Sequence, residues 1–286
     1  MRTITTFTKN ALAASLGTAL LLSLAACGGG EKEDTRDPQT VLTAASKKTA
    51  EQNSYRTKRK RTDREGTERG EYAFTRRPDM DERRTWRPGP KGKEVFEHAI
   101  GDGRSLYTKR SDDETMRTYG KGRSWYSIPL HEGPAPKPED VQKRAEGDLP
   151  VLLGVLRSTK DVRRVGTEDV GGAKAAHFKG TVVLDDLARY KGNALRGWLR
   201  ESYVKDQRKA GLDRVEIDMW IGRDDLPLKA REHGRGSKGE TLLTEEYRDF
   251  GVDPKLRAPA ADDVLTSEQL QREVFEKSMK DFDRKS

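Results

Sequence analysis

The 286-residue sequence predicts an α+β fold made mainly of antiparallel strands, and three observations carry that prediction. Between residues 55 and 126, β-compatible runs are separated by "EG", "RPD", "PGPKG", "GDG" and "GKG", all of them turn-forming. From residue 213 to 221, Val215, Ile217, Met219 and Ile221 alternate with Arg214, Glu216, Asp218 and Trp220, the period of a strand with one buried face. Four segments with helical spacing flank and interrupt these strand runs.

The first 26 residues stand outside the folded part. Arg2 and Lys9 precede a run from residue 11 to 26 without a charged residue, the layout of a secretory signal peptide. Leu24, Ala25, Ala26 and Cys27 resemble the bacterial lipobox, in which the cysteine thiol receives a diacylglyceryl group and the chain is cut just before it. Cys27 is the only cysteine and is expected to be the lipidation site, so none remains for a disulfide or a Cys-ligated metal. Two or three acyl chains hold a protein on a bilayer where one binds marginally. The expected partner is therefore the membrane, with the chain on its extracytoplasmic face.

Residues 27–37 contain "GGGEKEDTRD" and read as a lipidated flexible tether. The folded domain is expected over residues 38–264, followed by a helical tail at 265–286. Pro38 suits the first turn of a helix that carries Val41, Leu42, Ala45, Thr49 and Ala50 on one side. In the meander that follows, Tyr72 and Phe74 alternate with polar neighbours, as do Phe96, His98 and Ile100. "GPAPKPED" is a proline-rich connector, and "LPVLLGVLRS" at 149–158 is the densest apolar run after the signal, expected to plug the sheet as a helix.

Gly171 and Gly172 supply a tight hairpin, after which Ala176, Phe178, Gly180 and Val182 share a face. Residues 185–210 show helical spacing through Leu195, Trp198, Leu199, Tyr203 and Val204, broken near Gly192. Leu226, Leu228 and Ala230 continue the apolar face of the 213–221 strand on its return, and "GRGSKG" turns the chain again. Thr266 with Gln269 forms a capping-box pattern ahead of Leu270, Val274, Phe275, Met279 and Phe282.

Composition limits the core: 36% of residues are charged and 33% hydrophobic, against about 25% and 45–50% in an average domain. A net charge of +8 and the run "KRKR" at 58–61 would point to nucleic acid in a cytoplasmic protein. Export excludes that partner and leaves a solvated strand face, or attraction to anionic headgroups and cell-wall polymers.

Catalytic and metal motifs are not found. Gly234, Gly236 and Gly239 match G-x-G-x-x-G but lie between two strand patterns, where no helix N-terminus faces a phosphate. Ser202 and Lys205 match S-x-x-K without the companion S-D-N and K-T-G elements. His98, His131, His177 and His233 are scattered, and paired acids such as Asp185 and Asp186 lie in turn or helix-start positions. No catalytic residue, metal ligand or cofactor is assigned.

Four segments carry a family resemblance: "KTAEQNSYR", "VGGAKAAHFKGTVVL", "VEIDMWIGRDDLPLKA" and "YRDFG". They resemble the corresponding parts of actinobacterial lipoproteins of the LppX/LprG family and, in layout, LolA-type lipoprotein carriers. The resemblance implies a half-barrel of antiparallel strands with helices in its concave face, enclosing a cavity for lipid or glycolipid. On that expectation, Phe178, Val182, Val215, Ile217, Met219, Leu226 and Leu228 line the cavity. The alternative is a non-catalytic envelope sensor or interaction module that binds a protein partner on the same fold.

Overall fold

The computed structural model describes residues 35–130 and 149–284. Cys27, the signal and most of the tether lie outside the described residues, as do His131 and the proline-rich connector.

The chain opens with helix α1 (Pro38–Glu51), whose N-cap Asp37 accepts hydrogen bonds from the backbone of Gln39 and Thr40. The first meander comprises β1 (Ser54–Asp63), β2 (Gly66–Arg76), β3 (Asp79–Pro88), β4 (Glu94–Gly101), β5 (Ser105–Arg110) and β6 (Trp125–Pro129). A short helix α2 (Glu114–Tyr119), capped by Asp113, joins the last two. After α3 (Leu149–Ser158), the second meander runs through β7 (Arg163–Val170), β8 (Ala173–Val183), β9 (Arg214–Gly222), β10 (Pro227–Gly236) and β11 (Gly239–Arg248). Helices α4 (Leu184–Arg189) and α5 (Gly197–Lys209) connect β8 to β9.

With a short twelfth strand, β12 (Val264–Thr266), all of these strands belong to one open sheet ordered β12-β6-β5-β4-β3-β2-β1-β11-β10-β9-β8-β7. The two meanders are therefore seamed in the middle by the antiparallel pair β1 and β11. The three-residue strand β12 (Val264–Thr266) pairs in parallel with β6 and leads into α6 (Ser267–Asp283). The capping box of α6 is formed as its sequence predicts, with Thr266 Oγ1 accepting from Gln269 N and Gln269 Oε1 accepting from Thr266 N.

The sheet has an inner face, which the helices cover in part, and an outer face. On the inner face of the second meander, Phe178, Met219 and Ala230 stand opposite one another across β8, β9 and β10. They pack with Val41 and Leu42 of α1, Leu152, Leu153, Val155 and Leu156 of α3, Leu184 of α4 and Val204 of α5. Each such aliphatic side chain contributes about 1.5–3 kcal/mol when fully buried. Helix α3 does plug the sheet: a Cβ on Gly180 would sit 2.9 Å from Leu156 Cδ1, so a larger residue there would force the helix side chain to shift. Gly171 and Gly172, with φ of 61° and 87°, make the hairpin turn between β7 and β8.

Two groups of apolar residues lie apart from this core. Phe96, His98 and Ile100 face outward, opposite to Tyr72 and Phe74, because β4 joins a second apolar cluster of Met80, Ile100, Trp125 and Val264 on the outer face. The apolar positions of α6 are largely uncovered, with Phe275 67% and Phe282 68% exposed.

Candidate functional site

Helices cover the inner face over the second meander but leave a recess of about 490 Å³ over β11 and β1 to β5. Cross-strand register explains its lining. Tyr55, Phe74, Asp81, Gly101 and Leu106 form one row across β1 to β5. Tyr247, Thr57, Tyr72, Arg83 and Ala99 form the next, from β11 to β4. Glu245, Arg59, Gly70, Thr85 and Glu97 form a third. Successive rows are two residues apart, or about 7 Å.

The rows grade from apolar to charged. Leu130 and Leu149 also line the recess, and in the first row Tyr55 packs on Phe74 with ring centroids 5.4 Å apart. Asp81 in that row is turned to Arg83, whose Nε lies 3.1 Å from Oδ2, and it leans over Gly101, where a Cβ would meet Oδ1 at 2.4 Å. At the third row, buried Glu245 accepts a hydrogen bond from the Tyr247 hydroxyl at 2.5 Å and lies 3.8 Å from Arg59 Nε. The Arg59 guanidinium sits 5.9 Å from the centre of the Tyr72 ring, a cation–π arrangement.

The basic run at 58–61 is part of β1, so alternation divides it. Lys58 and Lys60 are exposed on the outer face, whereas Arg59 and Arg61 point to the inner face. It is not one basic patch.

The seven residues expected to line a cavity lie elsewhere. Phe178, Val182, Val215, Ile217 and Met219 are 0–2% exposed and belong to the helix-covered core. Leu226 is buried in the loop before β10, and Leu228 is half-buried at a bulge in β10. None of the seven lines the recess. The physical reason is that α3, α4 and α5 fill the space over β8 to β10, and the uncovered part of the same face begins beyond β10.

Sequence reasoning also missed a polar cluster on the outer face. His177 Nδ1 is 2.7 Å from Glu168 Oε1 and its Nε2 2.8 Å from Asp218 Oδ1, while its ring stacks on Trp220 at 4.3 Å. Trp220 Nε1 donates to Glu168 Oε2, and Arg231 donates to Asp218 Oδ2. Burial raises the Asp218 pKa, but hydrogen bonds from Arg231 and His177 outweigh it and hold the group below its ordinary value. The Trp220 hydrogen bond does most to hold Glu168 low. The signal in the sequence was the alternation itself, which places His177, Asp218, Trp220 and Arg231 on the polar side of three adjacent strands.

Among the described residues, no group of three or more His, Cys, Asp or Glu could hold a metal ion. No described helix is long and apolar enough to cross a membrane.

No protein-family model matches the chain. It is 30% identical over 115 residues to an uncharacterized 31.2 kDa protein of Streptomyces griseus, and 28% identical over 170 residues to a Streptomyces coelicolor protein named as a lipoprotein. These matches cover 40% and 57% of this chain, and 37% and 49% of the two relatives, so the chain spans less than half the length of either. Similar solved structures include LprF of Mycobacterium bovis, at 16% identity and a TM-score of 0.47, and the lipoprotein LppX of Mycobacterium tuberculosis, at 10% and 0.47. They match 78% and 77% of this chain and 97% of each neighbour.

Proposed function

We propose that the protein is a lipoprotein, anchored through Cys27 on the extracytoplasmic face of the membrane, that holds a lipid or other amphipathic ligand in the inner-face recess without catalysing a reaction. The observation that carries this reading is the gradient across the three rows. Tyr55, Phe74, Leu106, Leu130 and Leu149 offer apolar surface, interrupted by the Asp81–Arg83 ion pair, while Arg59, Thr85, Glu97 and Glu245 offer a charged end on the same floor. An amphiphile meets both ends at once, its hydrocarbon part removed from water and its polar part kept among hydrogen-bonding groups.

A volume near 490 Å³ falls in the range of small-molecule sites, about 300–1,000 Å³. The named lipoprotein relative supports the anchoring part of the reading, and the lipobox-like stretch ending at Cys27 supports its position.

The test is to purify the full chain from its membrane, extract it with organic solvent and analyse the extract by mass spectrometry. Co-purified lipid near one molecule per chain is expected. An extract with no lipid above that of an unrelated lipoprotein treated alike would overturn the ligand reading.

A further inference from the structure

Helix α6 reverses the usual order of a surface helix, in which the apolar stripe is turned to the core. Its polar side meets the body: Lys121 Nζ donates to Glu273 Oε1 at 2.5 Å, Arg123 Nη1 donates to Gln269 Oε1 at 2.9 Å, and Lys277 Nζ lies 5.3 Å from the centre of the Tyr119 ring. Gln269, Glu273 and Lys277 follow one another at four-residue steps and so share one face. Phe275 stands two residues from both Glu273 and Lys277, about 200° round the helix from each, and therefore faces away from the body. Met279, four residues on, and Phe282, seven on, continue the same outward side, with exposures of 48% and 68% beside 67% for Phe275.

Charge and reach decide what covers this side. Helix α6 packs along β12 and β6, at the edge of the first meander. That meander, residues 54–130, holds 20 Lys and Arg against 13 Asp and Glu, which is seven of the chain's eight net positive charges. The helix adds nothing to that surplus, since its own acids outnumber its bases; it supplies apolar side chains instead. A basic surface bordered by exposed phenylalanines matches a partner that is anionic outside and apolar beneath, which is the chemistry of a lipid bilayer and not of a polyanion alone. Cys27, the expected lipidation site, stands eleven residues before Pro38, at most about 40 Å of extended chain, so an anchored chain keeps its folded unit beside that bilayer.

We propose that the side of α6 formed by Phe275, Met279 and Phe282 lies on the surface of an anionic lipid bilayer, as do amphipathic helices that sit in the plane of the interface. This rests on the anchoring reading above. The acyl anchor limits how far the domain stands from the membrane, and the helix sets which edge of the sheet, that of β12 and β6, meets it.

The experiment places the full chain in vesicles made of equal parts phosphatidylcholine and phosphatidylglycerol. Cys27 is the only cysteine and acylation takes up its thiol, so Ser278→Cys or Lys280→Cys offers one site for a nitroxide label. Ser278 lies between Phe275 and Phe282 on the outward side, and Lys280 is two residues further, on the opposite side. Mass spectrometry first reads the acyl chains on Cys27; a chain without them overturns the anchoring reading, whatever the helix does. In the anchored chain, the label at 278 is expected to collide more with oxygen than with a water-soluble nickel chelate, and the label at 280 to show the reverse. Adding Phe275→Glu, at an exposed position, should abolish the difference, and vesicles of phosphatidylcholine alone should weaken it. Two labels equally open to nickel overturn the membrane contact. Equal immersion in both kinds of vesicle overturns the part given to the basic meander. A label at 278 shielded from both reagents, with spin–spin broadening that vanishes on dilution with unlabelled chain, overturns the bilayer in favour of a second copy.

Discussion

The helix-covered core and the open recess respond in opposite ways to the same enlargement. Val215 is 1% exposed and pairs across the sheet with Val182, itself 2% exposed, in a cluster closed by Leu184, Leu187, Val204 and Leu212. Val215→Trp must displace these neighbours, and overpacking of this kind costs about 1–3 kcal/mol. For a folded unit of this size, each kcal/mol lowers Tm by about 2–4 °C, so a loss of roughly 2–12 °C is expected. Leu106 is half-buried at the apolar end of the recess, where an indole has about 490 Å³ to enter. Leu106→Trp should shift Tm by less than about 2 °C and remove most of the lipid that co-purifies with the parent. Differential scanning calorimetry and lipid extraction on the same preparations read both effects. If Val215→Trp melts with the parent while losing its lipid, the ligand lies over β8 and β9 and the assignment of the recess is wrong. If Leu106→Trp keeps its full complement of lipid, the apolar end of the recess is not where the ligand sits.

Other expectations concern the anchor, the autonomy of the fold and the outer-face cluster. Cys27→Ser replaces the nucleophilic thiol by a hydroxyl, so labelled-lipid incorporation should be lost and the uncleaved precursor should accumulate; normal processing would refute lipidation at this residue. A chain beginning at Pro38 should be soluble and melt in one cooperative transition, since residues 28–37 offer no apolar side chain to pack; a β-poor circular dichroism spectrum would contradict it. Asp218 and Glu168 have folded pKa values below their ordinary ones, so their contribution is complete above the unfolded values and is lost as pH falls through the folded ones. Tm should therefore hold steady above about pH 4.5 and decline below about pH 4. Asp218→Ala should remove part of that decline while costing about 1–3 kcal/mol near neutrality, because it leaves His177 and the half-exposed Arg231 without their shared acceptor. An unchanged acid profile in this variant would show that the cluster does not carry the linkage.

Much of the fold could be read from local patterns because local physics decides them. The turns at Gly171 and Gly172, the capping box of Thr266 and Gln269, and the break between α4 and α5 depend on residues within a few positions of one another. The strands of both meanders follow from alternation in the same way. Alternation marks two faces without saying which one a helix will cover, and that choice belongs to tertiary packing. Hence Tyr72 and Phe74 look the same in sequence as Phe96, His98 and Ile100, yet the first pair faces inward and the second set outward. The three-residue β12 and six-residue α2 are too short to produce a period.

The position of the recess follows from how few apolar residues the chain has. At comparable inward positions the second meander places Phe178, Val182, Val215, Ile217 and Met219, whereas the first places Thr57, Arg59, Arg83, Thr85 and Glu97. A helix laid on the first set would strip water from charged groups without supplying partners for them, at a cost of several kcal/mol for each ion. Laid on the second set it gains about 25 cal/mol for every Å² of apolar surface buried. Helix cover is therefore incomplete over β11 and β1, where Leu149 of α3 borders the recess together with Glu245 and Arg59. Across the same floor, Tyr55 and Phe74 are buried with the main cluster, whereas Leu106 on β5, in one row with Asp81 and Gly101, stays half-buried. The recess lies where charged side chains interrupt the apolar floor.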